Sequence, residues 1–205
     1  MNSLARQTLA GLRILLVLTV LTGVVYPLGV WVVSRLPGLR AGAEGSVVTV
    51  AGRTVGSDLI GIDAVAGDPN HDPYFHTRPS ATARDGDGLG PADASTSGGS
   101  NEGGFNPDLV ATIRAREDII AKREGVTPAR VPADAVTASG SGLDPDISPA
   151  YAELQVPRVA RENGLSRERV RALVAEHTDG RDLGFVGEPG VHVLELNLAV
   201  QAAKR

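Results

Sequence analysis

The chain has 205 residues, which is enough for one domain of ordinary size, or for one domain with an anchor. Its composition of 42% hydrophobic and 21% charged residues is typical of a folded protein, and with 3% aromatic residues the core must consist of aliphatic side chains. A net charge of -4 offers no basic surface for nucleic acid, and the absence of cysteine excludes disulfides, zinc–thiolate sites and cysteine nucleophiles.

The first predicted element is a transmembrane helix over residues 14–34, which contain no charged side chain. At about 1.5 Å per residue, a helix of this length just crosses the hydrocarbon core of a bilayer. Gly23, Pro27 and Gly29 are tolerated in such a span where neighbouring helices cover the backbone. A short tail, 1–13, precedes the span, and a soluble domain over 35–205 follows it.

A cleaved secretory signal is the alternative to this anchor. Arg6 and Arg13 form a basic start, and residues 41–43 (AGA) resemble a cleavage site. The apolar run is longer than the about 7–15 residues usual in a signal peptide, which favours a retained anchor. Two arginines flank the span on each side, so the positive-inside rule gives only a slight preference for a cytoplasmic N-terminus.

The soluble part is predicted to be α+β, with a hairpin first, helices in the middle and a strand last. The β-branched run Val47–Val50, the turn Ala51-Gly52 and the segment Arg53–Val55 predict the hairpin. Residues 63–108 are rich in Asp, Gly, Pro, Ser and Asn and have no apolar period. They predict a long loop region that is either functional or mobile.

Capping signals predict three helices. Their starts are Asn106-Pro107, Ser148-Pro149 and Ser166, and their ends are Gly125, Asn163-Gly164 and about His177. Pro157 indicates a kink or a late first turn in the second helix. Residues 191–200, VHVLELNLAV, alternate leucine with polar residues. They predict a half-buried strand that joins the first hairpin.

The loop over residues 136–149, VTASGSGLDPDISP, has the composition of a phosphate-binding or catalytic loop. A Walker loop needs a lysine after its glycines, and residues 123–203 contain none; the spacing of a nucleophile elbow is also absent. Backbone amides of Ser139–Gly142 could still receive an anion. Composition favours an ordered turn, so no catalytic residue is predicted.

Two further stretches are rich in polar side chains. Residues 71–79 hold two histidines whose spacing does not suit a metal site, which favours a buried polar anchor or a partner contact, with Arg78 as a hydrogen-bond hub for loop carbonyls. Ser97–Asn101 is a glycine-rich turn or contact loop. Arginines and glutamates alternate between residues 153 and 171, Arg158 among them, which is typical of a solvated helix face.

Several motifs then follow one another in order: VLTGVVYPLGV, GSDLIG, YFHTRPSA, SGGSN, NPDL, VTASGSGLDPDISP, QVPRVA and VLELNLA. With them, nearly the whole chain resembles the C subunit of the Kdp potassium-transporting ATPase, the KdpC family. Three departures are local: Glu102–Phe105 after SGGSN, Asp146 where the family often has His or Asn, and residues 190–192 (GVH), where it often has Arg-Val-Asn.

The resemblance implies a non-catalytic, single-pass subunit of a bacterial inner-membrane complex, with a potassium-selective channel-like subunit, a P-type ATPase subunit and membrane lipid as partners. It implies a catalytic chaperone that raises the ATP affinity of the ATPase subunit; the alternative is an extracytoplasmic cap over the potassium entrance without nucleotide contact. An extracytoplasmic domain cannot touch cytosolic ATP, so any effect would be a coupling through the assembly. An anchored extracytoplasmic enzyme is the third and least favoured reading.

The same resemblance assigns residues to two kinds of site. It implies no cofactor of the chain's own and no metal site, with ATP at most shared with the ATPase subunit. The residues implied for nucleotide contact are Ser139, Gly140, Ser141, Gly142 and Gln155. The residues implied for loops at the partner surface or ion entrance are Tyr74, Phe75, His76, Arg78, Ser97, Gly98, Gly99, Ser100, Asn101 and Asp144.

Overall fold

The computed structural model describes residues 2–68 and 70–204, which form two compact units, Met1–Val47 and Val48–Arg205. The first unit is dominated by one apolar helix made of α1 (Ser3–Val20), a π-helical turn (Leu21–Val25) and α2 (Tyr26–Ser34). Its 32 residues are long and apolar enough to cross a membrane. A short helix α3 (Arg40–Ala43) follows, with Glu44 paired to Arg35 at 2.6 Å.

The second unit begins with the predicted hairpin, of strands β1 (Val47–Val50) and β2 (Arg53–Ser57). Its two turn residues, Ala51 and Gly52, have φ of 50° and 76°. Two consecutive positive φ angles define the tight turn that matches the twist of a hairpin, so this prediction is confirmed. Between β2 and residue 107 the described residues form no further helix or strand.

Helix α4 (Pro107–Glu124) starts and ends where its capping signals predict. The Asn106 side chain accepts the Asp108 amide at 2.9 Å, and Gly125 ends the helix with φ of 68°. A 3₁₀ turn (Pro128–Arg130) and the short helix α5 (Ala133–Val136) then lead into the loop over 137–145.

Strand β3 (Asp146–Ile147) precedes helix α6 (Pro149–Asn163), and helix α7 (Arg167–Glu176) follows it. The Ser148 hydroxyl caps α6 by accepting the Tyr151 amide at 3.0 Å, and the Ser166 hydroxyl caps α7 by accepting the Arg169 amide at 3.1 Å. Because α6 begins at Pro149, the late start expected from Pro157 does not occur.

The C-terminal prediction of a long strand is wrong. Only Gly190–His192 is a strand, β5, which pairs antiparallel with β3 on one side and with β4 (Thr178–Asp179) on the other; the first hairpin forms a separate sheet. Helix α8 (Val193–Ala203) follows at once. The buried residues of this helix recur at helical spacing: Val193, Leu196, Asn197 and Val200. The segment therefore follows this helical period and not the strand-like alternation of its leucines.

Helix α6 lies at the centre of the core. Val156 and Val159 on α6 are fully buried, together with Val170 on α7 and Leu196 on α8. One residue of the long loop region, Phe75, is fully buried in the same cluster. The core is therefore mainly aliphatic, with two aromatic side chains, Tyr151 on α6 and Phe75, and through Phe75 the loop region is anchored in it.

Candidate functional site

The segment over residues 72–80 crosses the helices as an extended chain, held by side chains instead of by a neighbouring strand. The Asn197 amide accepts the Phe75 N–H at 2.7 Å and donates to the Phe75 carbonyl at 2.9 Å. In the same way, the Gln155 amide accepts the His76 N–H at 2.8 Å and donates to the His76 carbonyl at 3.3 Å. Two side-chain amides thus satisfy the backbone polar groups that a β-ladder would otherwise pair.

Arg158 on α6 is the hub of this arrangement. Its guanidinium donates to the carbonyls of Asp72 and Tyr74, both at 2.8 Å, and to Glu124 on α4 at 3.1 Å. The Arg158 side chain is 4% exposed and that of Glu124 is fully buried. The prediction that Arg158 belongs to a solvated helix face is therefore wrong, because the loop region covers this position.

His76 lies between two carboxylates. Its Nδ1 is 2.9 Å from Asp63 and its Nε2 is 2.5 Å from Asp72. Burial raises the pKa of Asp72, but the hydrogen bond from His76 and the charges of His76 and Arg158 outweigh it and hold this pKa at about 2. The other predicted histidine, His71, pairs instead with Asp68, so the two histidines do not form one site.

The depressed pKa of Asp72 predicts a loss of stability in acid. A carboxyl group with a lower pKa in the folded state stabilises the fold above its unfolded pKa, and this contribution disappears as the pH falls toward the folded value. We expect the free energy of unfolding to drop by about 2 kcal/mol between pH 5 and pH 2 through this group. Urea titrations of the wild type and of Asp72→Asn would measure it: the wild type should lose more stability over this range, and parallel pH profiles would contradict the prediction.

A cleft opens beside this histidine. Its volume is about 260 Å³, and its polar lining consists of Asp63, Asp72, His76, Asp85 and Arg123. The Arg123 guanidinium is already engaged, with Glu124 at 2.8 Å and the buried Tyr151 hydroxyl at 3.0 Å. No group of acidic and histidine side chains among residues 2–68 and 70–204 has an arrangement that could hold a metal ion.

The two glycine–serine loops of the sequence lie against each other. The Gly98 amide and the Ser97 hydroxyl both donate to the Ser141 carbonyl, at 2.8 Å and 3.0 Å. A Cβ on Gly142 would lie 2.6 Å from the Gly98 carbonyl oxygen, so this close approach requires glycine. Residues 97–99 and 139–142 therefore form one surface element, which we call the double loop.

Internal hydrogen bonds shape the double loop. The buried Ser139 donates its amide to the Pro79 carbonyl at 2.8 Å, and its hydroxyl accepts the Gly142 amide at 3.1 Å. Gly140, Ser141 and Ser97 are exposed at its tip, and Ser100 and Asn101, which follow it directly, are exposed as well. The loop is thus an ordered turn, as composition favours, with its tip open to a partner.

Arg78 connects the double loop to the rest of the domain. Its guanidinium donates to Asp144 at 2.8 Å and to the Thr137 carbonyl at 3.4 Å, which supports the predicted role as a hub for loop groups. The Gly61 amide donates to the Leu143 carbonyl at 2.9 Å on the other side of the loop. Residues 143–144 are therefore held from both sides.

The residues Asp146 and His192 contact each other across the small sheet. Asp146 on β3 is paired in register with His192 on β5, and the carboxylate is 2.7 Å from the imidazole Nδ1. Asp179 is 2.9 Å from Nε2 of the same ring. Burial lowers the pKa of His192, but the hydrogen bond and charges of the two aspartates raise it overall. The close contacts of His192 with Asp146 and Asp179 lie where β5 pairs with β3 and β4.

The sequence analysis did not predict the buried polar residues that position the extended segment. Asp63, Asn163 and Asn197 hold the extended segment, and the one available signal was the incidence of Asn at positions with an apolar period, such as Asn197. Two predicted contact residues, Phe75 and Gln155, are fully buried. In this structure they hold the loop region, and nucleotide contact by Gln155 would require both of its bonds to His76 to break.

The fold and site together define a class: a membrane-helix protein whose α+β domain presents ordered loops. The chain matches the family model described as "K+-transporting ATPase, c chain" over residues 8–202. It is 49% identical to the potassium-transporting ATPase KdpC subunit of Kineococcus radiotolerans, covering 99% of this chain and 97% of the relative. It is 50% identical to that of Sorangium cellulosum, covering 94% and 96%. The chain belongs to the KdpC family.

Proposed function

We propose that the protein is an accessory, non-catalytic subunit of a high-affinity ATP-driven potassium uptake complex in a bacterial inner membrane. The observation that carries this proposal is the family match over residues 8–202, from inside the apolar helix to the last turn of α8. The relatives are named as subunits of a potassium-transporting ATPase. Assembly with the channel-like and P-type ATPase subunits, and contact with lipid through the helix, follow from this role.

The chemistry of the described residues supports a role without catalysis. Each of the four histidine rings lies against a carboxylate or a backbone carbonyl, and none is hydrogen-bonded to a serine or threonine hydroxyl. The serines of the double loop bond to each other and to backbone groups. These hydroxyls lack the adjacent base that activates a nucleophile.

We place the soluble domain outside the cytoplasm, as a cap near the potassium entrance, with any effect on ATP affinity transmitted through the assembly. Ordered loops that present exposed tips suit a protein contact, and a coupling free energy between distant sites needs no contact with nucleotide. The rival mechanism is a direct nucleotide contact by Gly140 and Ser141, whose exposure at the tip favours it.

Labelling of single cysteines tests the side of the membrane, and the natural absence of cysteine makes the background clean. Ser100 is exposed on the loop after residue 99 and has no side-chain bond in the described part of the chain; Ser3 is exposed at the other end of the apolar helix. In intact cells that express the whole complex, we expect a membrane-impermeant maleimide to label Ser100→Cys and to leave Ser3→Cys unlabelled. Opening the cells should expose Ser3→Cys.

The reverse labelling pattern would contradict the extracytoplasmic assignment and favour direct nucleotide contact. In that case, an ATP photoaffinity probe should label the wild-type complex on this subunit. Ser141→Ala would then weaken the labelling, whereas Ser95→Ala, in a separate turn closed on Asp93, would leave it unchanged.

A further inference from the structure

The segment between β4 and β5 lies entirely on the surface of the soluble domain. Every residue from 179 to 188 is exposed, and the apolar residues Leu183 and Phe185 are 86% and 74% exposed. A segment that buries no side chain gains little from packing, so the contacts at its two ends decide how firmly it is held.

Internal bonds give this segment a shape of its own. The Asp182 N–H donates to the Val186 carbonyl and the Val186 N–H to the Asp182 carbonyl, both at 2.9 Å. Arg181 and Glu188 are paired at 2.6 Å nearer the strands. The segment is therefore a small hairpin, residues 180–189, which we call the surface hairpin.

A very short ladder attaches the surface hairpin to the domain. Strand β4 pairs with β5 through two residue pairs, Thr178 with Val191 and Asp179 with Gly190. A ladder of this length is weak, so any further contact between the two strands matters for its stability. The next residue of β5, His192, makes such a contact, because its ring reaches Asp179 across the ladder at 2.9 Å.

Both nitrogens of the His192 ring face carboxylates. Nδ1 lies 2.7 Å from Asp146 on β3, and Nε2 lies 2.9 Å from Asp179 on β4. A neutral imidazole has only one N–H, and an ionised carboxylate only accepts hydrogen bonds, so a neutral ring would direct a lone pair at one carboxylate. The geometry therefore favours a ring with a proton on both nitrogens, which carries a positive charge.

The Asp146 carboxylate gives a second, independent reason for a charged ring. Its Oδ1 atom is buried and, in the part of the chain that the structure describes, accepts no hydrogen bond of proper geometry. A buried anionic oxygen without a donor is costly unless a positive charge lies close to it. The His192 ring, 2.7 Å away, supplies that charge only while it is protonated.

The remaining titratable groups around His192 also favour its protonated form. Asp144 adds negative charge next to β3, Glu195 does so from α8, and Asp58 lines the small cavity beside the ring. The His177 ring is engaged with a backbone carbonyl of α7, while the His177 carbonyl accepts the His192 N–H at 3.1 Å. Burial lowers the pKa of His192, but the surrounding carboxylates raise it above its ordinary value.

We propose that His192 is a pH-sensitive latch: the protonated ring holds β4 and the surface hairpin against β5, and loss of its proton releases the hairpin. The apolar residues Leu183 and Phe185 are then carried by a mobile segment in place of a fixed one. The latch belongs to this chain alone, so it goes beyond the proposed function and does not depend on it.

The direction of the switch follows from linkage. A group whose pKa is raised in the folded state stabilises the fold below its unfolded pKa, about 6.5 for histidine, and this contribution is lost as the pH rises through the raised value. Burial also raises the pKa of Asp146, so the ion pair requires a pH above that value. The latch is therefore closed near pH 6 and opens on the alkaline side.

Amide hydrogen exchange of the full chain in mild detergent tests the latch, with the fragment that covers β4 to β5 as the reporter. Wild type and His192→Gln are compared at the same pH, which cancels the pH dependence of the chemical exchange step. At pH 6 we expect the variant to exchange at least about threefold faster, because a partly exposed ion pair is lost. At pH 9 the two chains should exchange within about twofold of each other, because the wild-type ring is then neutral.

His71→Gln is the matched control. His71 also pairs with an aspartate, Asp68 at 2.9 Å, but in an exposed turn of the long loop region. The control should leave exchange of the β4–β5 fragment unchanged at both pH values.

Nuclear magnetic resonance of the histidine ring C–H groups measures the titration directly. The His192 resonance is identified by its absence in His192→Gln. We expect its midpoint in the wild type to lie above about 6.5 and to fall in Asp179→Asn, which removes one of the two charges on the ring. A midpoint at or below the ordinary histidine value would overturn the inference.

Three results of the exchange experiment would also overturn it. Equal exchange of wild type and His192→Gln at pH 6 would show that the ring does not hold β4. A difference that persists undiminished at pH 9 would make His192 a packing residue and not a switch. Faster exchange of the α6 fragment in parallel would show global unfolding in place of release of the hairpin.

Discussion

Arg158→Met should destabilise the soluble unit by about 3–5 kcal/mol, the usual cost of removing one partner of a buried ion pair. Methionine fits the length of the arginine stem but removes one of the two guanidinium groups paired with the fully buried Glu124 carboxylate, leaving only Arg123. It also leaves the carbonyls of Asp72 and Tyr74 without the donor at 2.8 Å that holds the extended segment. Urea unfolding in mild detergent, followed by far-ultraviolet circular dichroism, would measure the loss.

Arg171→Met is the matched control for this change. Arg171 pairs with Glu153 at 2.6 Å, but both side chains are about half exposed. Exposed pairs contribute at most about 1 kcal/mol, since water solvates both ions when the pair is broken. Equal losses for the two variants would contradict the assignment of Arg158 as the buried hub.

Gly61→Ala should destabilise the domain by about 1–3 kcal/mol, because it adds a methyl group where none fits. The new Cβ would lie 2.2 Å from the Asp144 carbonyl oxygen and 2.9 Å from its carbonyl carbon. Both contacts are to backbone, so no rotamer change relieves them. To make room, residues 143–144 must shift, which breaks the Gly61–Leu143 bond and strains the Arg78–Asp144 pair at 2.8 Å.

The control is Gly180→Ala, at a position where a Cβ meets no atom within 4 Å and φ is not positive. We expect it to change the free energy of unfolding by less than about 0.5 kcal/mol. The same urea titration compares the two variants. Indistinguishable midpoints would show that the chain relaxes around Gly61 and that the double loop is less firmly held than its contacts indicate.

The helix boundaries were predictable because their chemistry is local. The cap at Asn106 binds an amide two residues away and that at Ser148 an amide three residues away, so neither depends on the rest of the fold. The turn at Ala51-Gly52 is equally local, since it requires only two residues that accept positive φ. The α+β class followed from the order of such elements.

In the C-terminal segment, local sequence patterns do not distinguish a strand from a helix. Leu194, Leu196, Leu198 and Val200 fit a strand period, and Val193, Leu196, Asn197 and Val200 fit a helix period, within the same ten residues. The strand pattern predicts that Asn197 faces solvent. In the structure it is buried and binds the backbone of Phe75, 122 positions away in sequence. The Asn197–Phe75 contact favours the helix, and because the two residues are far apart in sequence, no local pattern could predict it.

The sequence by itself determined the apolar helix, the capped helices, the hairpin and, through its ordered motifs, the family to which the chain belongs. Each of these depends on residues within a few positions of one another, or on the succession of motifs. Only the tertiary structure decided that Arg158 is buried, that the loops at 97–99 and 139–142 form one surface, and that Asp146 and His192 are partners. Those facts depend on which distant segments cover a side chain, and burial, more than residue type, sets whether a polar group is solvated or must be paired.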